Sequence, residues 1–357
     1  MTIRRLEFGS AADGEVAAGC LYCSEGSKMV LFVTGKCDTG CKYCPVSLER
    51  KGRAGTYANE LKVTSDEDVI SEAEAMDAKG TGITGGDPLF DLDLTLHYIK
   101  LLKERFGPKH HIHLYTSTMD PKNIRILRDA GLDEIRFHPR EGDWSDFDTT
   151  ALEEITAMEG LDVGIEVPSL PGRDEDLNAM INKAFSAGVS FVNLNELEFS
   201  ESNWDMMKEN GYLLKDDISA AVMGSEDTAI RTINRNPGKR IHFCSSSYKD
   251  GGQLRRRLTR RAEHTAKEYD VITEDGTFLK GVLYADDLDE AAEYLEGGFD
   301  VPSILMSIDE ERGRIEVAPW ILQEIAAQLP YRCYLVEEYP TADRLEVERM
   351  PLNPPSA

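Results

Sequence analysis

The stretch "KMVLFVTGKCDTGCKYCP", residues 28–45, joins an apolar, β-branched run to a loop holding Cys37, Cys41 and Cys44, three of the chain's seven cysteines. The run from Lys28 to Gly35 reads as a buried strand, since it is short, apolar and closed by glycine. Three thiols crowded beyond one strand end are either unrelated buried side chains or a ligand set, and the crowding favours the ligand set.

From about Lys28 to Cys244 the chain alternates short β-branched runs with helical patterns. Ser65 caps a helix with Asp68 three residues on, its apolar positions are Val69, Ile70, Ala73 and Met76, and Gly80 serves as the stop. "GITGG" (82–86) and "HIHLYTS" (111–117) are the next strands, and Asp120-Pro121 opens a further helix that Gly131 closes. "EIRFHP", "LDVGIEVP" and "FVNLNELEF" continue the cycle. Six strands each followed by a helix imply parallel strands under outer helices, as an open sheet or a full or partial barrel. In either form the chemistry gathers in loops at the carboxyl ends of the strands, where the cysteine loop lies. Beyond Cys244 the texture changes to a basic helix, a hairpin about Asp275-Gly276 and short mixed elements. The expected divisions are an N-terminal segment over 1–27, a barrel over 28–244 and an α+β domain over 245–357.

The Cys-x3-Cys-x2-Cys spacing lets three thiolates wrap one face of a [4Fe–4S] cube and leave one iron open. Zinc fits this spacing less well, because its usual sites pair distant Cys-x2-Cys units. Read together with the aromatic Tyr43 before the last cysteine, "CDTGCKYC" resembles the signature of the radical S-adenosylmethionine (radical SAM) enzymes. "TGITGGDPLF" (81–90) is similar to the Gly-Gly-Glu-Pro segment of that family, with Asp87 in place of glutamate. "LYTST" (114–118) stands where relatives of the pyruvate formate-lyase activating enzymes carry Asp-Thr-Asn-Gly, and Thr116 alone matches. "GIEVPSLPGRDED" (164–176) resembles their Val-Pro-Gly-x-x-Asp segment with Ser-Leu-Pro inserted.

The resemblance covers roughly residues 28–244 and points to archaeal proteins similar to those activating enzymes. It implies an α/β fold, a partial (β/α)6 radical SAM barrel with a small C-terminal α+β domain. It implies a [4Fe–4S] cluster on Cys37, Cys41 and Cys44, and S-adenosylmethionine held near Tyr43, Gly85, Gly86, Asp87, Thr116 and Glu166. It further implies a low-potential donor such as ferredoxin or flavodoxin, reductive cleavage to a 5′-deoxyadenosyl radical, and hydrogen abstraction from a protein or small-molecule substrate. The glycines at 85 and 86 are expected to admit the methionyl group to the backbone.

Other features remain open on sequence alone. His138, at the end of "RFHP", either faces the barrel mouth or is structural, and Glu166 points either inward or to a surface ion pair. The run Arg255, Arg256, Arg257, Arg260 and Arg261 either grips RNA, which would make the enzyme RNA-modifying, or pairs with the chain's own carboxylates, and the second is favoured. Cys20 and Cys23, with Cys244 and Cys333, are expected to hold a second cluster or a zinc ion, or else to be small buried side chains. A non-catalytic iron–sulfur or zinc protein is the reading from another class. The 65 acidic and 40 basic residues leave a formal charge of −25, which disfavours indiscriminate binding to nucleic acid or anionic membrane and suits a salty cytoplasm. The first residues lack a signal peptide's apolar core and no stretch reaches the length of a membrane span, so a cytoplasmic location is expected.

Overall fold

The computed structural model describes residues 3–144, 149–216 and 218–353. Local sequence sets the element boundaries as expected in several places. Asp68 Oδ2 accepts from the backbone N–H of Thr64 and Ser65 at 2.7 and 2.8 Å, locking the start of the helix Asp66–Ala75. Asp120 caps Pro121–Asp129 by accepting from Lys122 N at 2.9 Å. The expected stop at Gly80 is displaced: the helix ends at Ala75, Asp77 makes the left-handed turn at φ 44°, and Gly80 opens a strand.

The chain falls into two compact units, Met1–Glu74 with Ala78–Leu254, and Ala75–Asp77 with Arg255–Ala357. The first unit runs β1 (Arg4–Arg5), β2 (Ala11–Asp13), α1 (Ala18–Ser24), β3 (Lys28–Thr34), β4 (Ala54–Ala58), β5 (Leu61–Lys62), α2 (Asp66–Ala75), β6 (Gly80–Thr84) and α3 (Leu92–Phe106). It continues through β7 (His111–Thr116), α4 (Pro121–Asp129), β8 (Glu134–Phe137), α5 (Thr150–Thr156), β9 (Asp162–Pro168), α6 (Asp174–Ser186), β10 (Phe191–Asn195), α7 (Trp204–Glu209), α8 (Ser225–Arg235), β11 (Ile241–Cys244) and α9 (Ser246–Tyr248). A π-helical turn, Lys249–Leu254, closes the unit.

Among the described residues these strands form one sheet in the order β1-β2-β11-β10-β9-β8-β7-β6-β3-β4-β5. The strands from β3 through β6, β7, β8, β9, β10 and β11 pair in parallel and make the open (β/α) barrel. The six strands read from sequence are thus joined by a seventh, β11, whose Ile241 pairs beside Val192. β2 runs antiparallel to β11, so the N-terminal segment is part of the sheet. Residues 245–254 are tied to the same unit: Ser245 N–H donates to Ser10 Oγ and Ser246 N–H to Glu196 Oε2.

Alternation along each strand divides the barrel into two environments. Leu31, Ile83, Leu114, Ile135 and Ile165 are fully buried toward the outer helices, where α3 contributes Ile99 and Leu102 and α4 contributes Ile124 and Leu127. Each such side chain contributes roughly 1.5–3 kcal/mol of hydrophobic stabilisation. The inward positions are polar instead, and they build the site described below.

The second unit comprises α10 (Arg255–Thr265), β12 (Val271–Ile272), β13 (Phe278–Tyr284), α11 (Leu288–Phe299), β14 (Met306–Asp309), β15 (Arg314–Val317), α12 (Pro319–Ile325), β16 (Arg332–Glu338) and β17 (Glu346–Pro351). Its antiparallel sheet buries Lys280 and Arg314 against Glu316 and Glu338. Within this unit Arg260 bonds the backbone and carboxylate of Asp77, and Arg261 bonds the carbonyl of Pro340. These two members of the arginine run are thereby committed to the protein itself. Among the described residues no helix is long and apolar enough to cross a membrane.

Candidate active site at the mouth of the barrel

The parallel strands deliver their carboxyl ends to one cavity of about 500 Å³. Cys37, Cys41 and Cys44 line it together with Tyr43, Gly85, Gly86, Thr116, His138 and Glu166. All of the expected cluster and cofactor residues except Asp87 therefore meet at one place. The thiols are spread along the loop wall: Cys37 Sγ lies 2.7 Å from Thr39 Oγ1 and Cys41 Sγ 3.9 Å from His138 Nε2. Among the described residues no three such ligands converge on a point that would hold a single ion. A cube, which offers each thiolate a different corner, fits a spread donor set on a shared cavity wall.

Asp87 has a structural task on the wall of the site. It is 1% exposed, and its carboxylate accepts from Thr116 Oγ1 at 2.7 Å, Ser117 N at 3.1 Å, Ser117 Oγ at 2.7 Å and Thr118 Oγ1 at 3.1 Å. It clamps the end of β6 to the end of β7. The glycines beside it are also required by the protein's own backbone. A Cβ on Gly85 would stand 2.4 Å from the carbonyl oxygen of Thr34, and one on Gly86 2.4 Å from that of Lys36. Both carbonyls belong to the base of the cysteine loop, so the close approach holds that loop against β6.

Glu166 points inward. Arg136 NH1 donates to its Oε2 at 2.7 Å, and Asn193 and Asn195 add bonds at 3.0 and 2.9 Å. Burial would push this carboxyl up, but Arg136 and the two amides outweigh it and hold it at about 2. Glu166 is therefore a permanent anion whose role is to accept hydrogen bonds. His138 Nδ1 lies 2.8 Å from the carbonyl oxygen of Glu166, which can only accept, so Nδ1 carries the proton. Burial lowers the pKa of this imidazole and keeps it neutral, leaving Nε2 to accept from the Tyr43 hydroxyl at 3.1 Å.

Beneath the cavity the inward faces make a polar lumen. Arg136 pairs with Glu134 at 2.5 Å and contacts Tyr115 Oη at 3.3 Å, and Tyr115 lies 3.2 Å from His113 Nε2. Lys28 Nζ stands 3.4 Å from the same nitrogen. Burial works against the Lys28 charge, but the acidic groups of Cys23 and Tyr115 beside it hold the ammonium above its ordinary range. Helix α1 crosses this lumen at Gly19, whose N–H donates to Glu134 Oε2 at 3.0 Å. A Cβ there would meet His113 at 2.6 Å and Arg136 at 2.7 Å, so only glycine lets the helix sit so close.

Sequence reading missed Arg136, Asn193, Asn195, Tyr115 and Lys249, all of which reach the lumen or the cavity. It also missed Asn203, which ties the excursion after β10 to the cysteine loop by donating to the carbonyl of Tyr43 at 3.1 Å. Cys23 and Cys244 are joined by the Gln253 carboxamide, and Cys20 accepts from the Asn193 amide. Cys333, expected as their fourth partner, is fully buried in the apolar core of the second unit with Leu283, Leu295 and Val317.

Comparison with known proteins agrees with this geometry. Residues 31–145 match the model of the radical SAM superfamily, and residues 276–352 match a domain of unknown function, DUF8061. A protein of Methanocaldococcus jannaschii named "Putative glycyl-radical enzyme activating enzyme" is 40% identical over 353 residues, covering 94% of this chain and 92% of its own. Among solved structures, the [FeFe]-hydrogenase maturase HydG is 16% identical over 51% of this chain and 46% of that one, with a TM-score of 0.38. Coproporphyrinogen III oxidase (HemN) of Escherichia coli is 11% identical over 63% and 56%, with a TM-score of 0.36. The cysteine signature lies within the superfamily match, and the identity to the M. jannaschii protein runs along nearly the whole of both chains, so this chain belongs to the radical SAM superfamily.

Proposed function

We propose that this radical SAM enzyme holds a [4Fe–4S] cluster on Cys37, Cys41 and Cys44 and uses it, in the manner of an activating enzyme, to abstract hydrogen from a protein substrate at the barrel mouth. When bound, the cluster and S-adenosylmethionine supply the reductive cleavage that yields a 5′-deoxyadenosyl radical. The observation that carries the reading is the single cavity lined by the three loop cysteines, Gly85–Gly86, His138 and Glu166. The relation to the M. jannaschii protein supports the activating-enzyme comparison.

The chain's own residues have definite parts in this. Anionic Glu166 accepts hydrogen bonds from hydroxyl groups of the bound nucleoside, and Arg136 with its amide partners keeps it charged. Neutral His138 holds Tyr43 by its hydroxyl and so orients the loop between Cys41 and Cys44. Asp87 fixes the ends of β6 and β7 as one wall. The expected test offers the reconstituted enzyme a candidate glycyl-radical protein with S-adenosylmethionine and a low-potential reductant. A protein-borne organic radical in the electron paramagnetic resonance spectrum, dependent on all three components, supports the reading. Formation of 5′-deoxyadenosine with deuterium drawn only from a small-molecule substrate contradicts its protein-substrate part.

A further inference from the structure

We propose, resting on the protein-substrate reading above, that the excursion between β10 and α8, residues 196–224, is the surface on which that substrate docks. The segment it takes is apolar, with lysine or arginine flanks. Leu197 and Glu198 line the cavity, and Glu198 pairs with Ala221 on the returning chain. Val222 N–H donates to the carbonyl of Leu197 at 2.8 Å, and Leu214 pairs with Val222 in turn. Three pieces of chain therefore lie side by side and lead from the cavity wall to the outside of the excursion. Asn203 and Ser202 fasten it to the carbonyls of Tyr43 and Cys44, so it is a fixed part of the rim.

Six of the eighteen large apolar side chains exposed among the described residues fall between Trp204 and Met223. Single exposed apolar residues are ordinary, but a concentration of them marks an interaction surface. The local geometry makes this exposure a built feature. Val222 is fully buried, and the next residue, Met223, turns outward. Met223 N–H donates to the carbonyl of Leu213 at 2.9 Å, so these two stand opposite each other, 54% and 62% exposed. At the tip, Asp216 Oδ1 accepts from the N–H groups of Ile218 and Ser219 at 2.9 and 2.7 Å. That turn holds Ile218 in water at 98% exposure, which forgoes roughly 1.5–3 kcal/mol of hydrophobic stabilisation. Trp204 and Met206, of types enriched at interfaces, are exposed on α7.

Charge selects the occupant. Residues 196–224 hold seven acidic residues and two lysines. Lys215 is paired with Glu196 and Glu226, and Lys208 lies over the Trp204 ring at 4.8 Å. Glu201, Asp205, Glu209 and Asp216 are exposed in the same stretch. A second copy of this chain would bring the same carboxylates against them, and a nucleic acid its phosphates, so both are repelled. A segment carrying apolar side chains between lysines or arginines meets the apolar residues and the carboxylates together. The surface runs into the cavity wall at Leu197 and Glu198, so a segment seated on it delivers its neighbouring residues to the mouth of the barrel.

The test uses the full-length chain, purified anaerobically, and three short fluorescein-labelled peptides: leucines between lysines, serines between the same lysines, and leucines between glutamates. Fluorescence anisotropy should show the leucine–lysine peptide binding more tightly than either of the others. Leu213→Ser, Ile218→Ser and Met223→Ser together should weaken that binding by about tenfold or more. The melting curve and the cleavage of S-adenosylmethionine without substrate should be unchanged. Equal affinity for the three peptides, or undiminished binding by the variant, overturns the docking surface. So does a wild-type dimer in sedimentation velocity that the variant dissociates, since a second copy would then cover the face. Where the candidate glycyl-radical protein gives a radical with wild type, the variant should need a higher concentration of it for half-maximal yield; an unchanged half-saturation also overturns the surface. No radical from wild type with that protein counts against the proposed function alone, and the peptide titration then decides the surface.

Discussion

At the scale of single residues, the barrel lumen places an ionised carboxylate where burial alone would neutralise it. Glu166 has a folded value of about 2 against an ordinary 4.5. A depressed acid contributes stability that is present above the ordinary value and lost as pH falls through the folded one, so the window here runs from about 4.5 down to about 2. The span corresponds to about 3 kcal/mol at neutral pH. Glu166→Gln should therefore lose less stability than wild type on acidification through this window, as denaturant midpoints measured at several pH values will read. Parallel acid limbs in the two proteins would contradict the assignment. Gly86 gives a second prediction. Since a Cβ would stand 2.4 Å from the carbonyl of Lys36, Gly86→Ala should lower the iron and sulfide content of reconstituted protein as well as cofactor binding. Full cluster content with only cofactor binding lost would show that these glycines serve the methionyl group alone.

At the scale of elements, the excursion between β10 and α8 acts as a strut for the cysteine loop. Asn203, 2% exposed, donates to the carbonyls of Tyr43 and Glu198 and accepts from Ser200 N–H, and Ser202 donates to the carbonyl of Cys44. Asn203→Ala leaves these buried groups unsatisfied at a cost of about 1–3 kcal/mol. The expected result is a cluster lost faster to a chelator than in wild type, followed by the decay of iron–sulfur absorbance; an unchanged rate would show that the strut is unimportant. Much at this scale was legible in the sequence. Asp68 reaches back to Ser65 as the capping pair implies, Asp120-Pro121 opens its helix as read, and the signature loop stands at the end of β3. The polar lumen was legible as well, though read only as one option at Glu166: "HIHLYT", "EIRF", "GIEV", "FVNLN" and "IHFC" each alternate an apolar residue with a polar or thiol one, which is the mark of strands whose inner face is not a hydrophobic core. The tie of Asn203 to the carbonyl of Tyr43 and that of Gln253 to the Cys23 thiol were not legible, because each spans more than a hundred residues and no local pattern encodes such a contact. Cys333 stayed open between ligand and small buried side chain, since spacing cannot tell the two apart, and the structure puts it in the apolar core.

At the scale of the whole molecule, the division of labour follows from where charge is exposed and where it is buried. A chain with a formal charge of −25 keeps its excess carboxylates in water, while the barrel buries a few of each sign in matched contact. The second unit does the same around Lys280 and Arg314. The central claim concerns the mouth of the barrel, and one measurement addresses it most directly. Anaerobically reconstituted protein, given S-adenosylmethionine and a strong reductant, should form 5′-deoxyadenosine, and the variant with Cys37, Cys41 and Cys44 all replaced by alanine should form none above the enzyme-free rate. The same yield of 5′-deoxyadenosine from both proteins would contradict the account.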